Sequence, residues 1–261
     1  MASHTPGLWH HPAFLRLWAA QSVSLLGTGL GALPFTAILF LHASGTEMAI
    51  LTGAITAPGL VLGLAAGSWA DRVRRRPLLI AADLGRAAAL ASLPIAAAFG
   101  ALAMPQLYAV AFITGSLTVV FDVAHLSYVP SLVSREQLVE ANSKLAASAS
   151  IAEAGSFSLG GWLVQLFGAL TAVVADACSF LVSACFLLSI RGNEPPPARD
   201  AAPEAGVLAG LAAGARVALA DGRLAGLLFA SAATSIADGI IGSVILLFGS
   251  RDLGLAPRRS G

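Results

Sequence analysis

Charge is scarce in this sequence. Only 11% of its 261 residues are Asp, Glu, Lys or Arg, against ~25% in soluble domains. Apolar residues make up 57% and the mean hydropathy is +0.81, so a water-soluble globular body is excluded. The net charge of +1 leaves no basic field for nucleic acid. There are two cysteines, Cys178 and Cys185, seven apart in one apolar run. They share a helix face and read as small core residues rather than a disulfide or metal pair. His-Glu-x-x-His, Gly-x-Ser-x-Gly, clustered aspartates and a Walker lysine are all missing, which argues against an enzyme and against ATP-driven work. The five histidines, His4, His10, His11, His42 and His125, fall in the tail, in loops or at a helix end. No nucleophile–base pair or metal set can be assembled, so neither cofactor nor metal is expected.

Long apolar runs are what the chain has instead. A bilayer core of ~30 Å takes ~20 apolar residues as helix. Seven segments fit or nearly fit: 17–41, 48–70, 78–99, 105–121, 145–167, 169–190 and 224–248. Each must be helical, because lipid offers the backbone no partners. The first run is too long for a signal-peptide core and reads as a retained helix. Small residues such as Gly59, Gly63 and Gly67, and the pair Gly160 and Gly161, suit close helix approach.

Arginine sets the orientation. The turn Gly67-Ser-Trp-Ala-Asp-Arg-Val-Arg-Arg-Arg-Pro77 packs one acid and four arginines between two apolar runs. Cationic loops resist translocation. With the N-terminus inside, the outer turns 42–47 and 100–104 and the tight turn at Gly168 carry no Lys or Arg. The inner segments carry Arg16, Arg72, Arg74, Arg75, Arg76, Arg135, Lys144, Arg191, Arg199, Arg216 and Arg223, and only the tail, with Arg251, Arg258 and Arg259, departs from the rule. Residues 191–222, opening Asn193-Glu-Pro-Pro-Pro197, read as a cytoplasmic linker with a short amphipathic helix over 207–220.

These features resemble the major facilitator superfamily. The family's loop pattern Gly-x-x-x-Asp-Arg-x-Gly-Arg-Arg is met by Gly67, Asp71, Arg72, Arg75 and Arg76, with Arg74 in place of the central glycine. Pro130-Ser-Leu-Val133 and Leu138-Val-Glu-Ala-Asn142-Ser143 resemble the branch of enterobactin-exporter-like drug and secretion-effector exporters. Gly160 and Gly161 fit the antiporter pattern Gly-Pro-x-x-Gly-Gly, whereas Ser156 and Phe157 depart from it. The resemblance implies an all-α integral membrane fold. Residues 1–190 form a six-helix N-terminal bundle, 191–222 a linker, 223–249 a seventh helix that opens a missing C-terminal half, and 250–261 a tail. It further implies a multi-pass protein of the cell inner (plasma) membrane with a cytoplasmic N-terminus. The implied activity is proton-coupled efflux of small amphiphilic molecules by alternating access. The partners are a small-molecule substrate, protons, the lipid bilayer, and the missing half or a partner chain. Two alternatives stay open: a non-transporting remnant or half-transporter, and a membrane enzyme.

Polar residues inside the spans each need a reason, since a mid-helix charge costs ~2.5–3.5 kcal/mol on insertion scales. Asp83 and Arg86, at i and i+3 on the third segment, can neutralise each other. With Asp71 and the loop arginines they are candidates for an inner charge network, with gating or structure as the role; the resemblance makes the loop motif a latch between the two halves. Gln21, Ser24 and Thr28 form a polar stripe on the first segment, and Thr114, Thr118 and Asp122 another on the fourth. A water-filled cavity would use such stripes, and so would plain interhelical hydrogen bonding. Glu153 and Asp238 read as deep carboxylates without a local partner. A carboxylate so placed can load and release a proton as water access changes, and for Glu153 a bond to a neighbouring helix is the competing reading. Asp176 reads as structural.

Overall fold

The computed structural model describes residues 8–70 and 73–191, and from the remainder residues 220–223, 225, 226, 229, 230, 233 and 234. The chain divides into two compact units, Met1–Glu204 and Ala205–Gly261. Among the described residues every regular element is helical.

In the first unit α1 spans Pro12–Gly29, α2 Ala32–Phe35, α3 Gly45–Ala70, α4 Arg75–Ala98, α5 Met104–Leu132, α6 Leu138–Phe167 and α7 Ala169–Ser189. Local chemistry sets these bounds. The His11 ring nitrogen accepts from the Phe14 N–H at 3.3 Å, and Pro12 opens α1, where a missing N–H costs nothing. Ser44 and Glu47 close a reciprocal capping box before α3. Ser134 and Gln137 do the same ahead of α6. Gly168, at φ 85°, turns the chain from α6 directly into α7.

Four helical stretches among the described residues are long and apolar enough to cross a bilayer: Pro12–Phe40, Arg75–Ala98, Met104–Leu132 and Ala169–Ser189. α3 and α6, of 26 and 30 residues, have the length at ~1.5 Å per residue. The anticipated seventh segment lies almost wholly outside the described residues, as do the linker and the helix expected over 207–220. In the second unit Asp221 caps a helix start, its Oδ1 accepting from the Arg223 N–H at 2.9 Å.

The first apolar run is not one helix, as its sequence suggests. It breaks after α1, where Gly31 takes a left-handed conformation (φ 65°, ψ 32°), and it resumes as α2 followed by a wider π-helical turn over Thr36–Phe40. The cause is the glycine-rich stretch 27–31, since glycine alone adopts φ > 0 without a steric penalty. Pro34 sits in the first turn of α2, where no helical donor is lost.

α7 packs against α4 and α1; α4 also packs on α5, α5 on α3, and α1 on α6. The buried stripe of α7 is Ala169, Ala172, Val173, Asp176, Ala177, Phe180, Ser183, Ala184 and Leu187, a 3–4 spacing that faces α4 and α1. Cys178 and Cys185 fall off this stripe. Both are exposed free thiols and not core residues: their spacing of seven places them on one face, but the opposite one. Of the α3 glycines, Gly59 meets nothing within 4 Å. The close approach of α3 and α5 is at Gly115, where a Cβ would overlap the Ile55 carbonyl. α1 and α6 meet through Gly29 against Ser156 and through Gly160 against the Leu30 carbonyl.

Two apolar clusters fill the unit. One gathers Leu33, Leu51, Leu90, Leu93, Leu107, Val173 and Phe180. The other gathers Phe14, Leu17, Leu79, Phe121, Tyr128, Leu145 and Leu187. The outer surface is also apolar, with Phe99, Leu126, Val139, Ile151 and Trp162 largely exposed. Such a surface suits acyl chains rather than water.

Candidate functional site

Arg86 lies where the two apolar clusters meet. Its guanidinium sits over the Phe121 ring at 4.5 Å and the Phe180 ring at 4.2 Å, one from each cluster. Cation–π contact of this kind strengthens when water is excluded. Arg86 pairs with Asp83 on its own helix and donates to the Thr118 hydroxyl at 3.3 Å. Asp83 receives a second bond, from the Ser183 hydroxyl of α7 at 2.6 Å. Asp83 and Arg86 are buried to within 2%. α4, α5 and α7 are therefore tied by one charge-assisted cluster with both Asp83 oxygens occupied. Losing one partner of such a pair leaves an uncompensated buried charge. The i, i+3 spacing that suggests this pair is realised, and Thr118 joins it.

Two further carboxylates act on Arg86 through space, Asp122 of α5 and Asp176 of α7. Asp122 is exposed. Asp176 is 6% exposed and its Oδ1 has no hydrogen bond among the described residues. It lies beside Gly27 of α1, where a Cβ would meet both Asp176 and Ser179.

One end of the bundle collects the cations. Arg76 donates to the Leu187 carbonyl at 3.0 Å and the Leu188 carbonyl at 2.7 Å. Arg16 reaches the Ser189 carbonyl at 2.8 Å. The last carbonyls of a helix have no helical partner and carry the negative end of its dipole, so two arginines from distant positions cap α7. Trp18 donates to the Ser148 hydroxyl at 2.6 Å, Trp9 packs edge-on against Trp18, and Lys144 lies 4.4 Å above the Trp9 ring. Arg75 opens α4 at the same end. α3 runs through Gly67 to Ala70, whereas Asp71, Arg72 and Asp238 lie outside the described residues.

The remaining candidates separate. Thr114 spends its hydroxyl on carbonyls of its own helix. Thr28 is exposed and Ser24 buried. Glu153 is exposed on α6 rather than deep in the bundle, with no side-chain bond to a neighbouring helix among the described residues. Gln21 lines a cavity between α1, α5 and α6 together with His125 and Asn142. His125 is a site residue that sequence reasoning misses. The apolar run ends at position 121, but α5 continues to Leu132 and carries His125 inside, 6% exposed and stacked on Phe121 with centroids 6.0 Å apart.

Long apolar helices, a buried ion pair tying three of them and a cationic end define a multi-pass helical membrane protein. The model of the Major Facilitator Superfamily matches residues 17–261, and the chain belongs to that superfamily. It is 26% identical over 179 residues to the "Uncharacterized MFS-type transporter YfiS" of Bacillus subtilis (strain 168), covering 66% of this chain and 41% of that protein. It is 26% identical over 205 residues to the "Enterobactin exporter EntS" of Shigella dysenteriae serotype 1 (strain Sd197), covering 77% of this chain and 48% of that protein. The chain thus spans less than half the length of these curated relatives. No solved structure matches it.

Proposed function

We propose that this chain is the N-terminal part of a secondary transporter that exports small amphiphilic molecules across the plasma membrane in exchange for protons. Residues 1–190 are one rocking body, 191–222 a cytoplasmic linker, 223–249 the first helix of a second bundle and 250–261 a tail. The carrying observation is the Asp83–Arg86 cluster, which ties α4, α5 and α7 into one block without leaving either Asp83 oxygen open. A body that moves as a unit needs such closure, because each unpaired polar group in lipid favours rearrangement. The cationic end around Arg16, Arg76 and Lys144 supports a cytoplasmic N-terminus. The exporter named among the relatives supports the outward direction. In this reading the Gly67–Arg76 motif gates by latching this body to the second one. Asp71→Asn weakens the latch while leaving insertion intact. Proton exchange falls to carboxylates that water can reach in one state, with Asp122 and Asp238 the candidates and Glu153 the third. Asp238→Asn is expected to abolish pH-dependent exchange.

The second body is supplied downstream or by a partner chain, because substrate sites in these folds form between repeats. That leaves a half-transporter, or a remnant that no longer transports, as the second reading.

Reconstitution of the full chain in liposomes tests both. Uptake of ethidium driven by an imposed pH gradient when the chain is joined to a C-terminal bundle, and lost in Asp122→Asn, supports the first. Uptake only when the second bundle is added as a separate chain supports the half-transporter. No uptake in either case overturns transport.

A further inference from the structure

α1 and α6 are fastened differently at their two ends. Away from the cationic end the helices meet at backbone distance. A Cβ on Gly29 would overlap the Ser156 hydroxyl, and one on Gly160 would overlap the Leu30 carbonyl. Such contacts between small residues fix the two helices against sliding. At the cationic end side chains make the join. Trp18 donates to the Ser148 hydroxyl at 2.6 Å. Lys144 lies 4.4 Å above the Trp9 ring, and the two tryptophans meet edge-on with centroids 5.4 Å apart. Lys144 also pairs with Glu140. Leu8, beside Trp9, is fully buried in the second apolar cluster. Glu140, Lys144 and Ser148 follow at i, i+4 and i+8, so they share one stripe of α6. The short turn Leu8–His10 and α1 thus grip a single stripe of α6.

The two joins differ in what can replace them. Trp9 is 50% exposed, and Lys144 and Ser148 are half-buried. Water reaches this end and offers each polar group another partner, so the join opens at little cost. Ser156 is 1% exposed, and the glycine contacts have no such substitute. Between the two joins the packing is incomplete. The cavity of about 300 Å³ lies there, lined on α6 by Asn142, Leu145, Ala146 and Ala149, the stripe next to Lys144 and Ser148. On α1 it is lined by Gln21, one turn beyond Trp18. Ser148 and Gly160 are 12 residues apart on α6, or ~18 Å at ~1.5 Å per residue. α1 is also the main packing partner of α6, so loosening this seam frees α6 more than any other single change.

We propose that Trp9, Trp18, Lys144 and Ser148 form a releasable clasp on the seam between α1 and α6. When it opens, α6 tilts about the Gly29–Ser156 and Leu30–Gly160 contacts, and the cavity opens at the cationic end. Three observations stand together: a fixed contact at one end, a water-reached contact at the other, and unfilled space between them. Hinged elements have this form, a few terminal residues taking up the motion of an otherwise rigid helix. The clasp does not depend on the transporter reading. Within that reading it is the gate through which solute at the cationic end reaches this bundle.

Hydrogen exchange of the full chain in lipid nanodiscs, resolved by segment, tests this. Trp9→Leu and Lys144→Met each remove the contact between ring and cation, and Trp18→Phe removes the bond to Ser148 but keeps a ring. In each, amides 138–150 are expected to exchange about tenfold faster, the scale of one lost contact, with 156–165, α4 and α7 at the parental rate. Lys144→Arg, which keeps a cation over the ring, should hold the parental rate. So should Glu140→Gln, which breaks only the exposed pair on α6. Ala149→Cys, with Cys178 and Cys185 replaced by serine, reports the cavity. A charged thiosulfonate reagent should modify it about tenfold faster once Lys144→Met is added. If Trp18→Phe does not fold, Trp9→Leu and Lys144→Met decide alone. Parental exchange over 138–150 in both overturns the clasp, as does a rise spread evenly over all helices, the mark of lost stability rather than an opened seam. Faster exchange with unchanged labelling of Ala149→Cys overturns the opening of the cavity. Transport with parental exchange in the variants refutes the clasp alone; local opening without transport refutes only its place in export.

Discussion

Two polar clusters share the ring of Phe121 and differ in how their hydrogen bonds close. On one side Arg86 is paired with Asp83, bonded to Thr118 and enclosed by two aromatic rings, while Ser183 takes the other Asp83 oxygen. On the other side Gln21 and His125, which line one cavity, each leave a buried atom without a hydrogen bond among the described residues. Both lie in the same apolar helices and both use ordinary side chains. The difference lies in what remains to be satisfied. The first cluster occupies both Asp83 oxygens and ties three helices, with Arg86 Nε its one buried atom lacking a bond among the described residues; the second has two such atoms and no ion pair, a standing cost without a matching gain.

The largest expected effect comes from opening the closed cluster. Arg86→Met leaves Asp83 buried without its cation, at about 3–5 kcal/mol for a broken buried pair. The folded fraction after detergent extraction should collapse. Overpacking the helix contacts comes next. Gly160→Val drives a side chain into the Leu30 carbonyl, at about 1–3 kcal/mol. Gly161→Ala, which meets open space, serves as the control and should hold or slightly raise the melting temperature, because alanine is the better helix former. Removing the helix cap is smaller. Arg76→Gln gives up bonds to the Leu187 and Leu188 carbonyls, for about 1 kcal/mol at this partly exposed end; faster hydrogen exchange confined to the last turn of α7 would report it. The smallest effect lies at the other end of the helices. The backbone N–H and hydroxyl of Ser44 hold the Glu47 carboxyl below its ordinary value of 4.5. A lowered folded pKa contributes stability above the ordinary value and loses it as pH falls through the lowered one. Glu47→Gln should therefore flatten a slight drop in melting temperature below pH 4.5 and change little at neutral pH.

The two regions are not equally legible in the sequence. Asp83 and Arg86 announce themselves by their spacing, because two opposite charges one turn apart in an apolar run can neutralise each other where either alone would be costly. Their partners on α7 do not, since Ser183 and Phe180 are unexceptional until α7 packs on α4. The cavity is half legible. Gln21 stands out as part of a polar stripe, but His125 lies beyond the apolar run, and hydropathy marks where a helix meets lipid rather than where it ends. The exposed cysteines teach the same lesson, because periodicity groups residues on a face without saying which way that face points. The break at Gly31 has a local signal in the crowded glycines before it. Membership in the superfamily is legible from the arginine-bearing turn, although Asp71 and Arg72 lie outside the described residues.

A double-mutant cycle on the closed cluster is the most direct test, with melting temperature and folded yield read for Asp83→Leu, Arg86→Met and the two combined. Each single change should strand a buried partner and lose folded protein, and the double change, which removes both charges, should recover most of it. If Arg86→Met alone folded and melted like the parent, the pair would not be what holds α4, α5 and α7 together, and the contrast between the ion-paired cluster and the Gln21–His125 region would fail.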